Sequence, residues 1–184
     1  MTIRSFVYTA SVMVLAALAP LSANGEFEAD SAPRTKKAVK AGPSPVIAAM
    51  KKVTKIKNRV NEKADYFVFL YSASWCGPCC KEMPEIVKLH KEMKRSGKVD
   101  IILFCHDKTP KAAADFVKQF KIRFLTVMSS DKNAPKVPGF SSPGGIPHCC
   151  IVDRNGKVIT QGHPQNVLEN WKDVTINNDA TNEN

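Results

Sequence analysis

The sequence predicts an α/β protein with three layers, in which a mixed central sheet of four to five strands is flanked by helices. Two continuous apolar runs, at 66–71 and 99–105, are typical of buried parallel strands. The segment between them has helical periodicity, as a crossover between parallel strands requires. A third apolar run at 149–152 leads into a strong turn signal at 153–157, which indicates an antiparallel hairpin.

The first 23 residues have the layout of a secretory signal peptide. Arg4 precedes an apolar stretch at 6–19, and small residues follow up to Ala23, after which we expect cleavage. An uncleaved membrane anchor is the alternative, although the apolar stretch is short for a spanning helix. We therefore expect an exported protein, soluble after cleavage, in the periplasm or another oxidising compartment outside the cytoplasm.

Two polar segments flank the folded domain that we expect at 45–173. Residues 24–44 are charged and interrupted by prolines, which favours a flexible linker, and residues 174–184 are expected to form a disordered tail. The domain begins with a predicted amphipathic helix. Its apolar positions recur at steps of three and four residues: Val46, Met50, Val53, Ile56 and Val60.

The other helices and strands follow from local periodicity and capping signals. Helical spacing at 81–93 comes directly after the first strand, and Thr109 is placed to cap a second helix at 111–120. A short strand is expected at 124–128, and a closing helix at 164–171.

The charge of the chain argues against nucleic acid as a partner. The formal net charge is +10, from 27 Lys and Arg against 17 Asp and Glu, but the basic residues are spread along the chain. A nucleic-acid surface would require aromatic residues interleaved with the basic residues. Here the aromatic residues are instead placed as core residues. Acidic protein partners remain compatible with this charge. A single domain of this length can bury a sizeable core, and we expect a monomer.

The main chemical motif lies where the first strand ends and a helix begins. Cys76 stands at this junction, and Cys79 lies one helical turn further on. Backbone N–H groups and the helix dipole favour a thiolate at Cys76, and a second thiol three residues later can resolve a mixed disulfide. The pattern predicts thiol–disulfide exchange, with Cys76 as the nucleophile and Cys79 as the resolving thiol. A zinc site would need a second ligand pair, and the spacing of His148 and His163 fits no zinc template.

This motif resembles the active site of the thioredoxin superfamily. The run Trp75-Cys76-Gly77-Pro78-Cys79 carries the resemblance, and its extension through Glu82 to Pro84 is similar to TlpA/ResA-type extracytoplasmic thiol-disulfide oxidoreductases. The run 72–76 is also similar to tryparedoxins and nucleoredoxins. The resemblance covers about residues 60–172 and implies a thioredoxin-like fold for the domain at 45–173.

The resemblance also implies which residues surround the cysteines. It places Pro147 beside them, with a cis peptide bond after Ile146 that leaves neighbouring backbone free to bind an extended substrate segment. The implied substrate-contacting residues are Trp75, Gly77, Pro78, Ile146, Pro147 and His148. We expect His148 to face the cysteines; a solvent-exposed position is the alternative.

Glu82 is the candidate acid–base residue. TlpA/ResA-like proteins carry a Glu at this position close to the second cysteine, which implies a role in deprotonating Cys79. The alternative is an exposed helix glutamate paired with a lysine. Many thioredoxins place a buried Asp six residues before the first active cysteine, where this chain has Leu70.

The expected function is the reduction of protein disulfides without a metal or an organic cofactor. A membrane electron donor would be needed to regenerate the dithiol, and apocytochrome c is one substrate that the resemblance implies. A first alternative is a copper-binding metallochaperone, because Cys76 and Cys80 have the spacing of Sco-type carriers and His148 could be a ligand. A second is a redox-inert, thioredoxin-like binding module. Cys105 and one of the adjacent pair Cys149 and Cys150 are expected to be small buried groups in strands. A further disulfide among these cysteines is the alternative, and the sequence does not specify its pairing.

Overall fold

The computed structural model describes residues 43–181. The predicted signal peptide at 1–23 and nearly all of the predicted linker at 24–44 lie outside the described residues. In chain order the elements are α1 (Pro45–Met50), β1 (Lys55–Lys57), β2 (Tyr66–Ser72), α2 (Gly77–Ser96), β3 (Val99–Cys105), α3 (Pro110–Gln119), β4 (Leu125–Met128), a 3-10 turn (Ala134–Lys136), β5 (His148–Asp153), β6 (Val158–Gly162), α4 (Pro164–Glu169) and α5 (Trp171–Thr181). Within residues 43–181, no helix has the length and apolar character needed to cross a membrane.

The strands form one mixed sheet of six strands in the order β1-β4-β3-β2-β5-β6, which is slightly larger than predicted. β3 pairs in parallel with both β2 and β4, whereas β1, β5 and β6 pair antiparallel with their neighbours. The β2–β3 register runs from Tyr66 opposite Val99 to Ser72 opposite Cys105. Both strands therefore end at the same edge of the sheet, where the connection to α2 begins.

The sheet separates two apolar cores, which confirms the three-layer prediction. On one face, Leu70, Leu103 and Cys149 pack with residues of α2, α3, α4 and α5. On the other face, Phe69 and Phe104 make an edge-on ring contact at 5.2 Å and pack with α1 and the 3-10 turn. Because successive side chains of a strand point to opposite faces, the adjacent residues Cys149 and Cys150 lie in different cores.

The first predicted helix is wrong in its second half. α1 ends at Met50, and β1 follows at Lys55–Lys57, antiparallel to β4 with Lys55 opposite Val127. Met50 packs in the core on the α1 face, whereas Ile56 packs against the core on the α2 face. The predicted helix therefore joined two separate elements, α1 and β1, whose apolar side chains pack on opposite faces of the sheet.

The predicted disorder from residue 174 is also wrong, because α5 extends to Thr181. Polar contacts hold this helix in place, which is why its composition did not reveal it. Asn178 Nδ2 donates to the hydroxyl of Tyr66 at 3.0 Å, and that hydroxyl donates to Asp179 Oδ1 at 2.6 Å. Lys98 Nζ lies 3.1 Å from Asp179 Oδ2. Residues 182–184 lie outside the described residues.

Gly156 lies in the β5–β6 turn, where its backbone packs closely against Pro138. A substitution at Gly156 tests this packing. The Gly156 φ of +90° is left-handed, and a Cβ at this position would lie 2.5 Å from the carbonyl carbon of Pro138. We expect Gly156→Ala to lower the free energy of unfolding by about 2–4 kcal/mol, measured by urea denaturation.

Gly144→Ala is the matched control for that substitution. A Cβ at Gly144 would meet no atom within 4 Å, so we expect a change of at most about 0.5 kcal/mol. Equal losses of stability in the two variants would contradict the described packing of Gly156 against Pro138.

Candidate active site

The two cysteines of the motif form a disulfide at the start of α2. Cys76 is the N-cap residue, with extended backbone dihedrals, and its Sγ accepts a hydrogen bond from the backbone N–H of Cys79 at 3.3 Å. The Cα atoms of Cys76 and Cys79 lie 5.2 Å apart, and their exposed fractions are 6% and 1%. Pro78 fits the first turn because the N–H that proline lacks has no helical partner there. A donor aimed at Cys76 Sγ and the positive end of the helix would both stabilise a thiolate in the reduced protein.

Ile146 lies beside this disulfide. Its carbonyl oxygen is 3.7 Å from Cys76 Sγ, and its side chain packs on the cluster formed by Ala73, Cys76 and Cys79. The peptide bond from Ile146 to Pro147 is cis, as the family resemblance implies. The loop before β5 and the start of α2 thus meet at the redox pair.

Trp75 is the exposed aromatic group next to the disulfide. Its side chain is 64% exposed, and its indole Nε1 donates to the carbonyl oxygen of His106 at 3.2 Å. The hydrogen bond fixes one edge of the indole to the end of β3. A flat apolar surface is therefore presented to solvent beside Cys76.

Asp107 is a site residue that sequence reasoning missed. Its carboxylate is only 5% exposed and accepts hydrogen bonds from Ser74, through Oγ at 2.7 Å and the backbone N–H at 3.1 Å. The thiol of Cys105 donates to the second carboxylate oxygen at 3.1 Å. Asp107 thereby ties the end of β3 to the loop before Cys76. Its position two residues after a parallel strand was the only signal, since such strands end at the same edge of the sheet.

Glu82 lies on α2, one turn beyond Cys79, and pairs with a histidine. Glu82 Oε1 is 3.2 Å from Nε2 of His163, whereas Oε2 is buried and has no hydrogen-bond partner among residues 43–181. The side chain is 25% exposed, so the alternative of a fully exposed glutamate paired with a lysine does not describe it. The pKa of the Cys149 thiol is raised by burial, by Cys150 and by the charge of Glu82. The Glu82 carboxylate is thus close enough to β5 to act on Cys149.

The ring of His148 lies beside Tyr71 of β2, and its orientation toward the cysteines stays a prediction. Its ring lies 5.9 Å from the ring of Tyr71, and within residues 43–181 it forms no hydrogen bond to either active-site sulfur. Strand alternation places the half-buried His148 on the face of β5 shared by Cys150.

The copper alternative requires free thiols at Cys76 and Cys80, whereas the structure joins Cys76 to a different cysteine. Cys76 is bonded to Cys79, and Cys80 instead donates from Sγ to the carbonyl oxygen of Ser74 at 3.3 Å. In the part of the chain that the structure describes, no three His, Cys, Asp or Glu side chains are grouped so as to hold a metal ion.

Burial distinguishes the remaining thiols from Cys80, which is half-buried. Burial and a hydrogen bond to Asp107 raise the pKa of Cys105 to about 12, and burial raises the pKa of Cys150 to about 11. Burial also raises the pKa of Cys149. These three groups are therefore protonated thiols at neutral pH, with little of the thiolate that alkylating reagents attack.

We expect iodoacetamide at pH 8 to modify Cys80 much faster than Cys105, Cys149 or Cys150 in the native, oxidised protein. A pKa of about 11 in place of 9.0 leaves Cys150 roughly a hundredfold less thiolate, and burial slows access further. Peptide mass mapping after timed quenching measures each rate. Protein unfolded in guanidinium is the control, in which all four thiols should react at similar rates. Modification of Cys150 as fast as Cys80 in the native protein would contradict the burial described here.

Comparison with known proteins gives a family model that spans the described domain and relatives that match about half of the chain. The family model described as Redoxin matches residues 28–177. ResA, a thiol-disulfide oxidoreductase of Bacillus cereus, is 39% identical over 93 residues, which are 50% of this chain and 51% of that protein. Probable nucleoredoxin 1 of Arabidopsis thaliana is 26% identical over 92 residues, 50% of this chain and 16% of that protein. The chain spans about half the length of the ResA relatives that it matches.

Solved structures share the fold at low sequence identity. Native tryparedoxin I from Crithidia fasciculata superposes with a TM-score of 0.55 at 19% identity, over 68% of this chain and 92% of that chain. A thiol:disulfide interchange protein from Bacteroides sp. gives a TM-score of 0.52 at 19% identity, over 62% and 76% of the two chains. These likenesses show that the fold is thioredoxin-like.

Proposed function

This chain belongs to the Redoxin family, and we propose that within this family it is a thiol-disulfide oxidoreductase that reduces disulfides of exported proteins. The observation that carries the proposal is the disulfide between Cys76 and Cys79, formed at a helix start where a backbone N–H points to Cys76 Sγ. The relatives named ResA, a thiol-disulfide oxidoreductase, support the same reaction class.

The first step uses Cys76 as the nucleophile. In the reduced protein its thiolate attacks one sulfur of a substrate disulfide, that S–S bond breaks, and one substrate thiolate leaves. A mixed disulfide now joins Cys76 to the substrate. The start of α2 and the N–H of Cys79 stabilise the attacking thiolate of Cys76 relative to its protonated form.

The second step uses Cys79 as the resolving thiol, with Glu82 as its base. Cys79 gives its proton to the Glu82 carboxylate and attacks Cys76 Sγ, the mixed disulfide breaks, and the second substrate thiolate leaves and is protonated. The substrate gains two electrons, and the protein returns to the disulfide form that the structure shows. No metal or organic cofactor takes part in these steps.

The substrate would bind across the surface around the disulfide. Trp75 supplies an exposed aromatic face, and the backbone beside Ile146 supplies polar groups for an extended segment. A Cβ at Gly77 would meet nothing within 4 Å, so the α2 start leaves open space beside Pro78. The substrate contacts proposed for Pro147 and His148 rest on the family resemblance.

The proposed location is outside the cytoplasm, and the proposed direction of exchange is the reduction of substrate disulfides. Export rests on the signal-peptide pattern at 1–23, and the reducing direction rests on the Gly-Pro pair between the cysteines. A reductase outside the cytoplasm needs a donor of electrons at the membrane, and apocytochrome c is one substrate consistent with the ResA likeness. A reduction potential of roughly −270 mV in glutathione or dithiothreitol buffers would support a reductase, whereas a value nearer −120 mV would overturn this direction.

We expect Cys79→Ser to accumulate mixed disulfides with substrate proteins, because the attack by Cys76 remains and the resolving step is lost. Cys76→Ser should trap at least about tenfold less, since Cys79 is almost fully buried and only Cys76 is the N-cap residue of α2. Non-reducing gels of the affinity-purified variants measure the adducts. Equal capture of the same substrates by both variants would contradict the assignment of the nucleophile.

A further inference from the structure

We infer that His163 is a positioning residue for this exchange, holding one oxygen of the Glu82 carboxylate so that the other oxygen receives the proton of Cys79. The inference rests on the proposed function, in which Glu82 is the base for the resolving thiol. His163 itself touches neither sulfur in this mechanism and acts through Glu82.

The backbone around His163 is fixed, while its ring is available for Glu82. His163 is the N-cap residue of α4, and its carbonyl oxygen accepts from the backbone N–H of Val167 at 3.1 Å. The buried Pro164 follows directly and fixes the first turn of the helix. The His163 side chain makes no capping hydrogen bond to α4 and instead reaches α2, with Nε2 at 3.2 Å from Glu82 Oε1.

The two oxygens of Glu82 have different surroundings. Oε1 faces His163, whereas Oε2 is buried and lacks a hydrogen-bond partner among the described residues. A buried carboxylate oxygen without a donor is unfavourable and needs a reason. In the disulfide form Cys79 has no proton to donate, but in the dithiol form its S–H can supply the missing donor. Cys79 and Glu82 are three residues apart on α2, a spacing at which helical side chains are neighbours.

Among residues 43–181, the ion-pair contact of Glu82 is with His163. Lys81 and Glu85 on α2 and Glu169 on α4 line the cleft beside Glu82. Within residues 43–181, His163 is the one His, Lys or Arg side chain with a nitrogen within 4.0 Å of the Glu82 carboxylate. The neighbouring Glu85 pairs with Lys88. On β5, the thiol of Cys149 faces the same region, and burial keeps it protonated.

Removal of His163 should hinder the second step and spare the first. Without the contact to His163 Nε2, the Glu82 carboxylate could turn toward the cleft and away from Cys79. Cys79 would then lose its base, so the resolving step should require a higher pH. The attack by Cys76 depends on the start of α2 and should be unchanged.

Ellman's reagent separates the two steps in the reduced, full-length protein. Cys76 attacks the reagent and releases one aryl thiolate, leaving an aryl mixed disulfide on Cys76. Cys79 then attacks Cys76 Sγ and releases the second aryl thiolate, so the second phase of absorbance reports the resolving step. All proteins should carry Cys80→Ser, because Cys80 is the half-exposed free thiol.

We expect His163→Phe to slow the second phase about tenfold at pH 7 and to shift its pH profile upward by about one pH unit, with the first phase unchanged. His163→Gln, which keeps a hydrogen-bond donor, should recover part of the rate. In a background of Glu82→Gln, adding His163→Phe should cause no further slowing, because His163 acts through Glu82. Glu92→Gln is the matched control, since it removes another α2 carboxylate that is paired with a cation, Lys172 at 3.7 Å.

Three results would overturn the inference, and each has a different meaning. If Glu82→Gln slows the second phase but His163→Phe behaves like Glu92→Gln, His163 has no positioning role and the proposed function stands. If Glu82→Gln also leaves the phase unchanged, Glu82 is not the base. If the parent protein releases only one aryl thiolate, Cys76 and Cys79 do not form a redox pair and the proposed function itself is wrong.

Discussion

In-register pairing of β2 with β3 ends both strands at one edge of the sheet, with Ser72 opposite Cys105. α2 begins just beyond this edge, so Cys76 becomes the residue that caps it. The same pairing brings Asp107, just past β3, within hydrogen-bond distance of Ser74, just past β2. A slip of one residue between the strands would move the carboxylate away from the loop and turn the core side chains to the other face.

The antiparallel pairing of β5 with β2 contributes the other half of the site. Because β5 runs in the opposite direction, it begins at the edge where β2 ends, with His148 opposite Tyr71. The segment that precedes β5 therefore arrives beside the disulfide, where Ile146 packs on the cysteines. α4 then follows the hairpin and returns His163 to the flank of α2. The segment before β5 and the start of α2 thus meet at the cysteine pair, and the connection from β6 to α4 reaches α2 one turn further along.

Sequence patterns predicted the parts of the molecule whose signals are local. β2, β3 and the start of α2 follow from continuous apolar runs and from the motif around Cys76. α5 and the split between α1 and β1 could not be predicted, because they depend on which face of the sheet each side chain meets. The contact of α5 with the hydroxyl of Tyr66 joins residues that are distant in sequence. The contact between Glu82 and His163 could not be predicted either, because these two residues are also distant in sequence.

The placement of Cys149 and Cys150 on opposite faces of β5 has a consequence for a protein with six cysteines. A protein with the proposed exchange activity is exposed to reshuffling of its own bonds, because every accessible thiol can compete for its active disulfide. Here the sheet itself separates the two neighbouring thiols, and Cys105 is held by the carboxylate of Asp107. A bond between Cys149 and Cys150 would require β5 to leave its extended conformation, so the sheet itself keeps these two adjacent thiols from pairing with each other.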